Sequence, residues 1–295
     1  MTACLNTQRA CHTVGVRRRA QLIPWKVAGR LTDRQTSADD VVQTTGWVFN
    51  NETGATLTLA DFVKTGDIEV PAYLDGFGLS RDDDASRTLV EIGSGIGRMT
   101  CAFTHRYGTV YACDLDAGFL ERCREAVARY GLVDRLRTIG VPDGHTLDLP
   151  DHIANLVFSY ITLQHCDRRD ALALIDESIR VSQPGGMIAL NFRSRAWADV
   201  VLLPLGYVVR AGFSIPVVGS WLSRLRFTTR LAWQANRLDP HHVLQPIAHR
   251  VTDVTIWRNR TKTTPIWGIG DAELRYLDTV GPNHWWMTAT VKSQD

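Results

Sequence analysis

The 295-residue chain has no strong charge of either sign, no paired-cysteine motif and no apolar run long enough to cross a membrane. Each lack excludes something. A formal net charge of +2, from 33 basic and 31 acidic residues, gives no bulk pull toward nucleic acid, whose binders carry a basic excess. Cys4, Cys11, Cys101, Cys113, Cys123 and Cys166 form no C-x-x-C pair and show no zinc-ligand spacing. They read as reduced thiols of a cytoplasmic protein. The apolar stretch 200–222 is interrupted by Pro204, Arg210 and Pro216, short of the roughly 20 residues a spanning helix needs. Arg17-Arg18-Arg19 leads into Pro24, Lys26 and Arg30 rather than an apolar segment, which predicts no secretory signal. No internal repeat is visible.

What is present is ordinary for a globular protein, with 44% hydrophobic and 22% charged residues. The length suits one large α/β domain with additions, or two small domains. Residues 1–38 are polar and irregular, as expected of a flexible tail. Residues 39–84 carry helical patterns around Trp47, Phe49, Leu57, Leu59, Phe62 and Val63, a second helical segment over 70–77, and a surface turn at 81–84. These predict an N-terminal helical lid.

From residue 85 to 194 strand and helix patterns alternate. Strands are predicted at 88–92, 109–113, 136–141, 154–160 and 186–192, and helices at 97–107, 117–130 (ended by Gly131) and 170–181. Repeated βα units imply a parallel, right-handed, doubly wound sheet. Residues 195–248 break the rhythm and predict a helical cap. Within 249–295, strands near 251–257 and 284–291 are expected to finish the sheet as a hairpin-like pair. The predicted fold is therefore α/β, Rossmann-like, with a mostly parallel seven-stranded sheet, a lid and a cap after strand five.

The most informative segment is Leu89-Val90-Glu91-Ile92-Gly93-Ser94-Gly95-Ile96-Gly97-Arg98-Met99-Thr100. An apolar strand, a glycine turn and a helix start follow one another, so the backbone there can approach a ligand closely. A dinucleotide turn would read G-x-G-x-x-G. Here Arg98 stands in the third place, and Glu91 would repel a pyrophosphate. A cationic or zwitterionic ligand tolerates that acid.

The Glu91–Gly97 segment resembles motif I of class I S-adenosylmethionine (SAM)-dependent methyltransferases. Four further segments resemble later motifs of that family in order: Tyr111-Ala112-Cys113-Asp114, Val141-Pro142-Asp143-Gly144, the 156–165 stretch ending in Leu163-Gln164-His165, and the 180–186 stretch ending in Pro184-Gly185-Gly186. The resemblance covers about residues 85–195. It implies SAM as cofactor, held by Glu91, Gly93, Ser94, Gly95 and Gly97. It implies that Asp114 bridges the ribose hydroxyls, that Leu115 packs on the adenine, that Asp143 and Gly144 meet the adenine edge, and that Tyr160 is a cofactor neighbour. For Asp114, and for Asp116, a helix N-cap is the competing role.

Methyl transfer requires an aligned nucleophile and often proton removal. His165, at the carboxyl end of strand four, suits a general base; the competing role is a histidine that fixes the following loop. Gln164, Trp197 and Tyr207 are candidate acceptor-binding residues. No metal-ligand set stands out. The Asn/Asp-Pro-Pro-Tyr/Phe form of many nucleic-acid amino methyltransferases is missing, so a small-molecule acceptor is expected and no nucleic acid. The cap mixes Trp197, Leu202, Leu203, Tyr207, Val208, Val209, Phe213, Trp221, Leu222 and Trp233 with Arg193, Arg195, Arg210, Arg224, Arg226 and Arg230. That composition suits O-methylation of an amphipathic metabolite (lipid, polyketide or glycoside) and peripheral membrane contact through 195–230. Helices packed on the sheet are the plainer alternative. A non-catalytic SAM-binding module and a nucleotide-dependent oxidoreductase are the competing functions.

Overall fold

The computed structural model describes residues 37–42, 57–80, 84–213, 215–222, 225–232, 236–261 and 264–293. Trp47, Phe49, Trp233, Arg224 and most of the expected N-terminal tail lie outside them.

The strands are β1 (Thr88–Ile92), β2 (Thr109–Asp114), β3 (Leu136–Gly140), β4 (Ala154–Ser159), β5 (Ser182–Arg193), β6 (Val251–Arg258), β7 (Glu273–Tyr276) and β8 (His284–Val291). They form one sheet in the order β3-β2-β1-β4-β5-β8-β6-β7. β3, β2, β1, β4 and β5 are parallel, and β8 enters antiparallel to β5 and β6. The sheet thus has eight strands, not the seven expected. The additional one, β7, is exposed along its length and pairs with β6 in parallel at the edge, so no apolar alternation marks it in the sequence.

The helices are α1 (Leu59–Gly76), α2 (Thr100–Arg106), α3 (Ala117–Tyr130), α4 (Arg168–Val181), α5 (Asp199–Phe213), α6 (Pro216–Leu222), α7 (Arg226–Ala232) and α8 (Pro240–Ile247). A capping box starts α1, with Thr58 Oγ1 accepting from the Asp61 amide and Asp61 Oδ2 from the Thr58 amide. The two helical segments expected in the lid are one helix, running through Pro71. Its buried face of Leu59, Phe62, Val63, Val70, Tyr73 and Leu74 continues across the proline, and that burial offsets the lost backbone bond. α2 starts later than expected because Gly97 has φ +93°. Gly131 does end α3, but in extended rather than left-handed backbone. A Cβ there would lie 2.6 Å from Thr104 Oγ1. β5 is longer than expected: Ser182 pairs with Ala154, and the Pro184-Gly185-Gly186 turn is an irregularity within the strand.

Side chains alternate between two buried faces. Val90, Val157, Ile188, Leu190 and Trp285 point to one, with α4 and α8. Leu89, Phe158, Ala189 and Trp286 point to the other, with Phe103 and the lid's Tyr73. The adjacent Trp285 and Trp286 are both fully buried, one on each face. Truncating either to alanine would cost roughly 3–5 kcal/mol. β1 lies between β2 and β4, where the winding direction reverses. Ligands of such sheets bind beyond the carboxyl ends at that point.

Candidate active site

The glycine loop is fixed from both sides. Gly93, Gly95 and Gly97 have φ of +80°, +56° and +93°, values that side chains bearing a Cβ resist. The Gly93 and Ser94 amides donate to Cys113 O at 2.7 and 3.1 Å, holding the loop on the end of β2. On the β4 side, a Cβ on Gly93 would stand 2.0 Å from Thr162 Oγ1. The lid touches the loop too: a Cβ on Gly66 of α1 would lie 2.0 Å from Arg98 O, so glycine there is what lets helix and loop meet. Arg98 ion-pairs with Glu69 of α1 at 2.9 Å and lies over the Tyr160 ring.

Two carboxylates, one buried and one half-buried, face this loop region. Glu91 Oε2 accepts from Thr100 Oγ1 at 2.6 Å, and burial raises its carboxyl to about 7. Asp114 Oδ2 accepts from the Gly95 amide and Oδ1 from the Asp116 amide, each at 2.9 Å; burial raises it to about 6. The N-cap role belongs to Asp116, which accepts from Gly118 N at 2.8 Å. Asp114 is thereby left with lone pairs for further donors. The Ser94 hydroxyl is buried with only the weak Cys123 thiol beside it. Burial also raises the Cys101, Cys113 and Cys123 thiols, in keeping with inert core cysteines.

Val141 N donates to Asp114 O at 2.9 Å, which brings the 141–144 turn beside that carboxylate. Leu115 is half-buried in the adjoining turn. Asp143 Oδ1 accepts from the His145 and Thr146 amides at 3.0 and 2.9 Å, so one oxygen of its carboxylate builds the turn. Gly144, buried, has φ +78°.

The end of β4 carries backbone strain. Ile161 has φ +53°, a genuine outlier for a β-branched residue. Its amide donates to Asn191 Oδ1 of β5 at 3.3 Å. Tyr160, just before it, stacks on Trp286 at 5.4 Å with an interplanar angle of 7° and also meets Tyr73 of the lid. Gln164 is buried. Its Nε2 lies 3.3 Å from His165 Nε2, and its Oε1 has no partner. Donation from that amide engages the Nε2 lone pair of His165.

Sequence reasoning missed His284 and Asn191. His284 begins β8 and pairs with Arg193 across the sheet. Its Nδ1 lies 3.2 Å from Asn191 Oδ1, the same atom that receives Ile161 N; Asn191 Nδ2 donates to Trp285 O. Burial, with Arg193, His165 and Arg237 adding to it, lowers His284 to about 3 and keeps it neutral. With Nδ1 as donor, Nε2 is its basic position. The available sequence signal was a histidine at the first residue of a strand running antiparallel to β5.

Gln164 and His165 are brought together at the end of β4. Trp197 and Tyr207 are not enclosed with them: they are 91% and 66% exposed. Both belong to the cap surface, where α5 to α7 pack around the small cluster Phe213, Leu222 and Ala232. Within the cap segment a buried ion pair ties the start of α5 to the stretch before α8, Arg237 Nε to Asp199 Oδ2 at 3.0 Å and Nη2 to Oδ1 at 3.1 Å. Beside it, Asn236 Nδ2 donates to Leu163 O and Cys166 O at 2.6 and 2.7 Å, clamping the loop that bears His165.

The loop suits SAM on structural grounds. Both carboxylates are held protonation-prone by burial, and a sulfonium or ammonium group would relieve each in its ionised form. Arg98, beside the loop, is committed to Glu69 and Tyr160 rather than offered to a phosphate.

Residues 90–190 match the family model described as a methyltransferase domain. No curated protein sequence matches the chain. Among solved structures, the chain is similar to magnesium protoporphyrin IX methyltransferase of Synechocystis PCC 6803, solved with bound SAH: 14% identity, 86% of this chain and 98% of that one covered, TM-score 0.49. It is similar to an O-methyltransferase family protein of Burkholderia thailandensis (15% identity, 92% and 70% covered, TM-score 0.45). It is also similar to tRNA (m1A58) methyltransferase TrmI of Aquifex aeolicus (10%, 81% and 77%, TM-score 0.45). Residues 90–190 of this chain thus match a methyltransferase domain, over the segment that carries the glycine loop and the later motifs.

Proposed function

We propose that the enzyme methylates an oxygen of a hydrophobic or amphipathic small molecule, with residues 85–194 as the cofactor core and 195–248 as the acceptor-binding cap. The observation that carries this reading is the cap's outer face. Trp197, just before α5, and Val200, Val208, Val217, Trp221 and Phe227, on α5 to α7, are all exposed, in the segment whose Asn236 clamps the His165 loop. An apolar surface of this kind marks a site for an apolar partner. No helix of the described residues is long and apolar enough to cross a membrane. A face of this type can still rest on a lipid surface, which would bring an amphipathic acceptor to the core.

The bound cofactor supplies a methyl group activated on a sulfonium. The chain supplies the rest. Glu91 and the 93–97 loop would meet the amino-acid part, Asp114 the ribose, and Leu115, Asp143 and Gly144 the adenine, with Tyr160 a cofactor neighbour at the end of β4. His165, oriented by Gln164, takes the acceptor hydroxyl's proton as the oxygen attacks, which requires the Gln164 amide to give way to the acceptor. A second reading assigns the proton to His284, favoured by its bond to Asn191, which leaves Nε2 as the acceptor.

The test is transfer of labelled methyl from SAM into fractionated cell extract, with the product identified by mass. Label in an organic-phase metabolite is expected, falling in His165→Ala while SAM binding is kept. Loss in His284→Ala alone would favour the second reading. Label confined to macromolecules would overturn the small-molecule reading. SAM binding without any transfer would indicate a non-catalytic module.

A further inference from the structure

A group of residues outside the SAM site has no role in the reading above. Asp239-Pro240-His241-His242 opens α8, which packs on the sheet face opposite the lid. Asp239 holds the N-cap position with extended backbone, yet its side chain makes no capping bond. Its carboxylate is buried, and Oδ1 meets no donor. His242 Nδ1 is buried and partnerless as well. The His241 and His242 rings lie 3.6 Å apart between centroids. One ligand atom from each of Asp239, His241 and His242 lies within 4.8 Å of the others.

Leaving a carboxylate oxygen of Asp239 and an imidazole nitrogen of His242 buried without partners is costly. A cation coordinated by both removes the cost at once. We propose that Asp239, His241 and His242 bind a first-row transition-metal ion of the zinc class. The donor set decides the class: two imidazoles and one carboxylate suit zinc, cobalt or nickel, whereas calcium and magnesium prefer all-oxygen sites. Three protein ligands leave a coordination position open. His241 is exposed and gives the ion its way in. Its placement is fixed from behind by Gly268, where a Cβ would stand 2.3 Å from His241 Cβ. Arg168 and Arg195 lie near His242, so the open position favours an anionic co-ligand.

The site also has a defined place. Asn236, three residues upstream, clamps the His165 loop, and Trp285 Nε1 donates to Leu238 O at 3.0 Å. A bound ion would therefore sit on the segment that clamps the His165 loop and holds Trp285.

The test uses the full chain, freed of metal by a chelator and titrated with Zn²⁺ by calorimetry. Co²⁺ is added in parallel as a spectroscopic probe. One equivalent of Zn²⁺ should bind, Mg²⁺ should not compete, and Co²⁺ should give ligand-field absorption. His241→Ala, an exposed position that leaves the helix intact, should weaken Zn²⁺ roughly tenfold or more, and Asp239→Asn should do the same. The melting temperature should rise on adding Zn²⁺ to the parent chain and not to His241→Ala. Failure of Zn²⁺ to bind, or equal binding by parent and His241→Ala, would overturn the assignment. SAM affinity measured in the same samples keeps this result separate from the cofactor site.

Discussion

The core and the cap bury their apolar side chains to very different degrees. In the core, the central strands β1 and β4 are covered on both faces, and even the glycine loop is wedged between β2 and the end of β4. In the cap, Phe213, Leu222 and Ala232 form a cluster with Val209 beside it, while Trp197, Val217 and Trp221 stand in solvent. The same apolar composition thus serves two ends. In the core it specifies the fold. In the cap it leaves a surface that something else must cover.

The sharpest way to break this comparison is to cut the cap's own buried ion pair. Asp199→Ala strands Arg237, which is 6% exposed, without its counter-charge. Urea denaturation should show a loss of about 3–5 kcal/mol. A loss under about 1 kcal/mol would mean the cap is not held by this pair. Replacing both residues with apolar ones of similar volume should recover most of the stability.

A change inside the core reads the cofactor instead. Asp114→Ala should weaken SAM by about 1–3 kcal/mol in calorimetry, with the fold retained. Unchanged affinity would remove Asp114 from the cofactor contacts.

The same carboxylates predict a pH dependence. Glu91 and Asp114 are raised to about 7 and about 6 from 4.5 and 3.8. Below the ordinary carboxylate range both states hold these protons. As pH rises toward 7 the unfolded chain has lost them while the folded one still binds them, so these two groups make the protein less stable across that interval. A bound cation favours the ionised forms and shifts the balance back. SAM should therefore bind more tightly at pH 8 than at pH 5.5, releasing protons near pH 6.5. Heats that do not depend on buffer ionisation would refute this.

The smallest effect on stability should come from the cap surface. Trp197→Ser with Trp221→Ser should change folding stability by no more than about 0.5 kcal/mol each. Flotation with anionic vesicles should nevertheless fall. Equal flotation would show that the exposed face does not meet lipid.

The difference between the regions also explains what could be read in advance. β1 and α3 have the bounds expected for them, because glycines, acids and apolar periodicity coincide at their ends. Asp116 took the capping role, a choice between two nearby acids that spacing leaves open. The exposed β7 gave no pattern to read. His284 and Asn191 meet only because β8 lies antiparallel to β5, 93 residues apart in the chain.

By itself, then, the sequence determined the parallel core, the glycine loop and the nature of its ligand, because those follow from local spacing and from one acid, Glu91, where a phosphate site would avoid one. Only the tertiary structure decided which acid caps α3, which histidines face the end of β4 and which cap residues see solvent. Those depend on strand order and on packing between distant segments, and no local pattern records either.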